Sequence, residues 1–152
     1  MANTFTQIYL HVIFSVKLRE HLIGNDWKDE LYKYINGIIQ NKNQKLLIIN
    51  GMPDHLHLLI GLKPDKALSD LVRDIKNNST NLINEKRFVQ GKFSWQEGFG
   101  AFSYSHSQLD TVINYIKNQE LHHKKKSFRE EYIELLNKFK IEFNEKYLPV
   151  FL

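Results

Sequence analysis

The sequence predicts an α+β fold: a ferredoxin-like, split-βαβ antiparallel sheet with helices on one face and extra C-terminal helices. Three observations favour this class. The apolar periodicity runs in the order strand, helix, strand, strand, helix, strand, which is the order of a split βαβ unit. The second and third strand patterns are separated by a short turn, as in an antiparallel hairpin. Two further helical patterns follow the fourth strand.

The first half of the chain supplies three strands and one helix. Residues 5–17 are rich in β-branched and aromatic side chains and predict a buried strand. Apolar residues at helical spacing within residues 24–43 predict an amphipathic helix, with Asn25 as its N-cap. Residues 44–51 and 55–62 then predict two strands, which pair as a hairpin across the break between them.

The second half supplies the remaining elements. Residues from 67 to about 86 show a helical apolar stripe and predict the second helix. Residues 93–105 combine aromatic side chains with two glycines, which predicts a fourth strand with an irregular entry. Residues 107–126 and 127–139 predict two more helices, and the apolar tail at 148–152 is expected to dock on the body or on a partner subunit.

Composition limits the class of protein further. The 152 residues are 42% hydrophobic, enough for one domain with a core and too few to expect two. We therefore predict a single domain over residues 1–152, with a core at about 4–125 and a C-terminal helix and tail at 127–152. The absence of cysteine excludes a disulfide scaffold, a thiolate zinc site and a cysteine nucleophile.

Charge and hydropathy add expectations about location and partners. A net charge of +4 and a pI near 9.2 weakly favour polyanionic partners. The N-terminus has no signal-peptide pattern, and no stretch approaches the roughly 18 apolar residues of a membrane span. We therefore expect a cytoplasmic protein with no membrane partner.

Two histidines open the third strand, one residue apart. Because strand side chains alternate, His55 and His57 share one face, while Leu56, Leu58 and Ile60 face the core on the other. The imidazoles are about 6.5 Å apart along the strand, near enough for both to bind one cation. Histidines that only hydrogen-bond to their neighbours fit the same spacing, so spacing alone does not decide between these readings.

A tyrosine and a carboxamide share the polar face of the first C-terminal helix. Tyr115 lies off the apolar stripe of this helix, one turn before Gln119 and close to His122. A tyrosine at the shoulder of a helix, with a buried ring and a hydrated hydroxyl, is also an ordinary structural feature. Its position alone therefore leaves its role open.

These features together resemble the HUH single-tyrosine transposases, the enzymes of small insertion sequences and the related REP-associated tyrosine transposases. The shared features are the His-hydrophobic-His strand, the later helix with Tyr and Gln four residues apart, the antiparallel α+β plan and the basic charge. The resemblance extends over nearly the whole chain. It rests on the segments IYLHVIFSVKLRE, MPDHLHLLI, WQEGFGAFS and YIKNQELHH.

The resemblance implies a DNA transposase that nicks and rejoins single-stranded DNA by metal-assisted transesterification. Tyr115 matches the nucleophile, which leaves a 5′-phosphotyrosine link and a free 3′-hydroxyl. His55 and His57 match the metal-ligand pair and Gln119 the third ligand, with Mg²⁺ or Mn²⁺ as the family's metal. Imidazole ligands by themselves favour Zn, Ni or Cu. Asp54 stands where relatives commonly have Asn, a change that affects the turn or the groups around the metal ligands.

The resemblance also implies partners. The substrate is single-stranded DNA with hairpin ends, and the protein is a homodimer whose tyrosine helix completes the site of the other subunit. Basic side chains at Lys17, Arg19, Arg73 and Lys76 are candidate phosphate contacts, and Trp95 is a candidate stacking surface for an unpaired base. A solvated surface for the charges and core packing for Trp95 are the alternatives.

Two other functions fit parts of the pattern. A non-catalytic module that binds single-stranded nucleic acid would use the sheet but would not require the histidines, Tyr115 and Gln119 to converge. A metal-dependent phosphodiester hydrolase would let water attack and leave Tyr115 passive. Among the remaining polar residues, none stands out as a general base; His122 and His123 are expected to face solvent or contact phosphate.

Overall fold

The chain folds around a four-stranded antiparallel sheet with the strand order β2–β3–β1–β4. A computed structural model describes residues 3–148. The strands and helices are β1 (Tyr9–Ser15), α1 (Lys28–Asn41), β2 (Lys45–Met52), β3 (His55–Gly61), α2 (Leu68–Lys86), β4 (Gly100–Tyr104), α3 (Leu109–Lys117), α4 (Gln119–His123) and α5 (Phe128–Lys138). This order confirms the predicted fold class. None of the helices in residues 3–148 has the length and apolar content needed to cross a membrane.

The main core lies between one face of the sheet and helices α1 and α2. Strand β1 contributes Val12 and Phe14, and strand β3 contributes Leu56, Leu58 and Ile60, all of them buried. These residues alternate along their strands, so the strand period places them on one face, against the apolar stripes of the two helices. The predicted core face of the third strand is therefore confirmed.

The opposite face of the sheet is covered by the C-terminal helices. Leu59 of β3 packs against the apolar stripe of α3, while Ile13 of β1 and Phe102 of β4 pack against α5. His55 and His57 lie on this same face, so the covering helices bring their side chains down onto the two imidazoles. The Tyr-bearing helix and α5 thereby form the second wall of a site whose first wall is the sheet.

Several predicted boundaries are wrong, because local pattern does not determine where pairing ends. The first strand begins at Tyr9, and Phe5, inside the predicted range 5–17, is 91% exposed. Helix α1 begins at Lys28, so Asn25 is not its N-cap. The fourth strand is limited to β4, and before it only one isolated bridge joins Trp95 to Val16.

The predicted helix over residues 107–126 is interrupted. Asn118 adopts φ −100° and ψ 29°, outside the α-helical region, and separates α3 from α4. After this break Gln119 is fully buried rather than exposed on a polar helix face. At the C-terminus, Leu148 packs against the apolar cluster of α5, whereas residues 149–152 of the predicted docked tail lie outside the described residues.

Two glycines give a matched prediction for stability. A Cβ at Gly51 on β2 would lie 2.2 Å from the carbonyl oxygen of His55, a backbone atom that cannot move without disturbing the hairpin, whereas a Cβ at Gly37 on α1 meets nothing within 4 Å. Gly51→Ala is expected to lower the free energy of unfolding by about 1–3 kcal/mol. Gly37→Ala is expected to raise it by about 0.5–1 kcal/mol. Urea denaturation measures both; equal stability of the two variants would contradict the close approach at Gly51.

A candidate metal centre beside Tyr115

The two histidines of β3 are held by polar partners on the side away from the centre. His55 is 1% exposed and its Nδ1 donates to Asp54 Oδ1 at 2.7 Å. His57 is fully buried, and its Nδ1 lies 2.7 Å from His11 Nε2 of β1 in a hydrogen bond. Partners of this kind fix the orientation of metal-ligating imidazoles. They leave the Nε2 atom of each ring available to a ligand.

Glu131 of α5 places its carboxylate between these imidazoles. It is 2% exposed, and its Oε1 lies 3.1 Å from His57 Nε2, 3.6 Å from His55 Nε2 and 3.2 Å from His123 Nε2. The ligand atoms of His55, His57, His123 and Glu131 all lie within 4.8 Å of one another. We call these four residues the His₃–Glu cluster. Three imidazoles and a carboxylate are a donor set that suits a divalent metal ion.

Tyr115 and Gln119 contact the same carboxylate from the other side. The Tyr115 hydroxyl donates to Glu131 Oε2, and Gln119 Nε2 donates to that oxygen at 3.0 Å. The Gln119 carbonyl oxygen, Oε1, lies 3.3 Å from His55 Nε2. The structure therefore brings together the four residues that the sequence singled out, with Glu131 as the group that all of them approach.

The buried charges shift the pKa values within the site. Burial acts to raise the pKa of Glu131, but His57, His123 and His55 outweigh it and hold that pKa well below its usual value. Burial and then the Glu131 charge raise the pKa of the Tyr115 hydroxyl. Burial also lowers the pKa of His57, which favours the neutral imidazole that a metal requires. The phenol is thus protonated and the carboxylate ionised.

Three residues of the site were not predicted from the sequence. His11 and Glu131 are not among the residues that the sequence pattern singles out, and His123, expected to face solvent or contact phosphate, has its side chain in the cluster instead. Glu131 did carry a signal, because it falls on the apolar stripe of α5 between Phe128 and Tyr132. A carboxylate in that position needs a buried partner.

The structure contradicts the expectation that Trp95 stacks on an unpaired base. Trp95 is 8% exposed and makes edge contacts with the rings of Phe14 and Phe93, at centroid distances of 4.9 and 4.8 Å. Its Nε1 donates to Ser79 Oγ at 3.0 Å. The indole is therefore a core residue of the sheet and α2, with its polar atom already bonded.

The Lys76 ammonium is also bonded within the protein. Its Nζ donates to the carbonyl oxygens of Gln96 and Gly98, at 2.8 and 2.6 Å, and burial lowers its pKa to about 8. It thus secures the irregular segment before β4, which contradicts its assignment as a phosphate contact. Sequence reasoning missed this because Lys76 lies on the polar face of α2, and only the path of that segment shows that the face is covered.

The other candidate DNA contacts differ in their exposure and in whether they form ion pairs within the protein. Arg73 is exposed but pairs with Asp70 and Asp74 at 3.2 and 3.4 Å, which reduces the charge it offers to a phosphate. The Nε of Arg19 lies 3.4 Å from Asp54 Oδ2 beside the cluster. Lys17 is exposed at the end of β1. Of the five predicted contacts, Arg19 is the one with a contact beside the site, through Asp54.

Asp54 provides a test of how far the cluster depends on its outer partners. Asp54→Ala removes the acceptor that holds His55 Nδ1, and loss of such a partner weakens metal binding by about 10–100-fold. Asp54→Asn keeps an oxygen at that position and is expected to retain most of the affinity. Isothermal titration with Mn²⁺ measures the effect; unchanged affinity in Asp54→Ala would show that His55 does not need this hydrogen bond to bind the ion.

Comparison with known proteins gives the family that the sequence resembles. The profile of the family described as "Transposase IS200 like" matches residues 4–119. The ISDra2 transposase TnpA of Deinococcus radiodurans is 25% identical over 118 residues, which covers 74% of this chain and 84% of that protein.

Two solved structures share the fold. A proposed transposase from Deinococcus radiodurans superposes with a TM-score of 0.63 at 22% identity, covering 77% of this chain and 94% of that one. A REP-associated tyrosine transposase bound to a REP hairpin superposes with a TM-score of 0.62 at 15% identity, covering 80% of this chain and 72% of that one. The family resemblance predicted from the sequence is therefore confirmed, and the chain belongs to the IS200-like family of HUH single-tyrosine transposases.

Proposed function

We propose that this chain nicks and rejoins single-stranded DNA through a covalent tyrosine intermediate, with Tyr115 as the nucleophile. The observation that carries the proposal is the contact of the Tyr115 hydroxyl with the carboxylate of Glu131, whose other oxygen lies among His55, His57 and His123. A nucleophile and a candidate cation site thus share one buried carboxylate. A non-catalytic binding module has no need of this convergence.

The residues of the cluster fit a bound divalent ion. His55 and His57 offer Nε2 atoms whose rings are oriented by Asp54 and His11, and Glu131 and the Gln119 carbonyl oxygen add oxygen donors. A bound divalent ion would withdraw charge from the non-bridging phosphate oxygens and orient the scissile phosphate. The imidazole donors by themselves favour Zn, Ni or Cu, and we propose Mg²⁺ or Mn²⁺ on the family resemblance and on the two oxygen donors, Glu131 and Gln119.

Tyr115 performs the bond exchange. Its hydroxyl oxygen attacks the phosphorus, the tyrosyl O–P bond forms, and the bond from phosphorus to the 3′-oxygen breaks. That oxygen takes up a proton from water and leaves as a free 3′-hydroxyl, while the DNA remains attached as a 5′-phosphotyrosine. Glu131 already accepts the tyrosine hydrogen bond and is the nearest acceptor for its proton. Since the pKa of Tyr115 is raised and that of Glu131 lowered, the proton moves only as the bond to phosphorus forms.

The covalent intermediate allows rejoining without a nucleotide cofactor. The phosphotyrosine keeps the energy of the broken phosphodiester, so a new 3′-hydroxyl can displace Tyr115 in the reverse of the first step. We propose that the substrate is single-stranded DNA with hairpin ends, since the REP-associated relative is bound to a REP hairpin. Lys17, which is exposed, and Arg19, which lies beside Asp54, remain candidate phosphate contacts.

The predicted homodimer stays a proposal. The described residues bear on whether a second subunit must contribute the tyrosine of the site. Tyr115 lies beside the histidines of its own chain, with ring centroids 6.1 Å apart for Tyr115 and His57. A second subunit is therefore not required to bring the tyrosine to the cluster. We propose that the site is assembled within one chain, whether or not two chains associate.

A covalent-adduct assay tests the proposed function. The protein is incubated with end-labelled single-stranded DNA carrying hairpin-forming ends and with Mn²⁺ or Mg²⁺, and the products are separated on a denaturing gel. We expect a labelled species that migrates with the protein and disappears after proteolysis. Cleavage that gives only free DNA fragments, with no adduct at any time, would favour a hydrolase in which water attacks and Tyr115 is passive.

A further inference from the structure

Two grooves meet at the outer edge of the His₃–Glu cluster. One, of about 290 Å³, runs along the start of α1. The other, of about 340 Å³, runs toward α5. Both are lined by Met52, Pro53 and His123, so they join over the turn between β2 and β3. His123 belongs to the cluster as well, so both grooves reach one edge of the candidate metal centre at this residue.

The first groove carries cations that the protein itself does not neutralise. Lys28 and Lys124 stand on its rim, and within residues 3–148 neither of them forms an ion pair; the rim has one carboxylate, Glu120. In the second groove, by contrast, Arg19 contacts Asp54. The first groove thus presents positive charge that is unpaired within the described residues and can bind a polyanion.

The floor of the first groove is apolar and aromatic. We use this name for the part of the lining that consists of Ile23, Tyr32, Met52 and Pro53; Asn25 also lines the groove. A free phosphate or an acidic peptide would contact only the lysines of this groove. An unpaired nucleotide contacts both the lysines and the apolar floor, because its phosphates bind the cations while its base and sugar pack on the floor.

Building on the proposed function, we propose that this first groove binds the nucleotide next to the scissile phosphate of single-stranded DNA. Lys28 and Lys124 contact the backbone phosphates, and the base and sugar lie on the floor around Tyr32 and Pro53. The strand then passes His123, where the scissile phosphate reaches Tyr115 and the cluster. Except for His123, the residues of this substrate-binding groove are separate from those that carry out the chemistry.

A binding experiment in a Tyr115→Phe background tests this assignment without cleavage. Fluorescence anisotropy of a fluorescein-labelled oligothymidylate is followed over a series of salt concentrations. We expect the double variant Lys28→Ala/Lys124→Ala to bind about tenfold or more weakly at low salt. Its plot of log affinity against log salt should also flatten by about 1.4, since each single-strand phosphate contact contributes roughly 0.7.

The matched control removes the same charge elsewhere. Lys33 on α1 and Lys45 at the start of β2 are exposed and do not line either groove, so Lys33→Ala/Lys45→Ala should change the affinity by less than about threefold. Equal losses in the two double variants would overturn the groove assignment in favour of net charge alone. An unlabelled duplex that competes as well as the single strand would overturn the assignment to single-stranded DNA.

The outcomes separate this inference from the proposed function. If the protein with Tyr115 intact forms the covalent adduct but Lys28→Ala/Lys124→Ala binds the oligothymidylate normally, the groove assignment fails and the function stands. If the protein forms no adduct, while the double variant still loses affinity and flattens the salt dependence, the function fails and the groove stands as a site for single-stranded DNA.

Discussion

Tyr115→Phe is expected to abolish the covalent protein–DNA adduct and to reduce strand cleavage by at least about 10³-fold, because no other group replaces a lost nucleophile efficiently. The substitution removes one hydroxyl and keeps the ring, which packs partly against the apolar stripe of α3 and stacks on His122 at a centroid distance of 4.5 Å. Glu131 retains its contacts with His57, His123 and Gln119. The fold and the candidate metal centre should therefore persist.

Two measurements test the effect of Tyr115→Phe. Time courses on denaturing gels report cleavage and adduct separately, and titration with Mn²⁺ reports whether the centre still binds the ion. Tyr132→Phe is the matched control, since it removes the hydroxyl of a tyrosine buried in the α5 cluster rather than at the site. A Tyr115→Phe protein that binds Mn²⁺ normally and still cuts DNA at the parent rate would assign the attack to water.

Part of this site could be predicted from the sequence because two local periodicities determine it. The strand period places His55 and His57 on one face whatever the tertiary structure, and the helical period places Gln119 one turn after Tyr115. The family resemblance then joined the two segments. The break at Asn118 alters the path of the helix, yet both side chains still approach one carboxylate.

The remaining residues of the site depend on packing between distant elements. Glu131 reaches the histidines only because the apolar stripe of α5 docks on Ile13 and Phe102, on the face of the sheet that carries the histidines. The expected DNA contacts at Trp95 and Lys76 are wrong for a related reason: the irregular segment before β4 turns its own Trp95 into the core and covers Lys76, and side-chain type does not reveal that path. Exposure is a tertiary property, so a basic or aromatic residue cannot be assigned to a DNA surface from its identity alone.

Glu131→Ala is expected to be the most destabilising substitution at the site. It removes a nearly fully buried carboxylate whose two oxygens contact His57, His123, Gln119 and the Tyr115 hydroxyl. Removal of one member of a buried charged network costs about 3–5 kcal/mol, because the partners lose their compensation and cannot reach water. Urea denaturation measures the loss, and Glu131→Gln, which keeps the volume but not the charge, should fall between the parent and Glu131→Ala.

Glu131→Ala also distinguishes two roles for this carboxylate: a ligand of the metal, or a group that only stabilises the buried hydrogen-bond network. If Glu131 is a ligand, adding Mn²⁺ raises the free energy of unfolding of the parent protein by mass action. This gain is smaller in Glu131→Ala, because the dissociation constant for Mn²⁺ is higher in that variant. Glu130→Ala, an exposed neighbour on the same helix, should change the free energy of unfolding by less than about 0.5 kcal/mol and keep the full gain with Mn²⁺. An equal gain in the parent and Glu131→Ala would exclude Glu131 as a ligand and leave His55, His57, His123 and Gln119 to bind the ion.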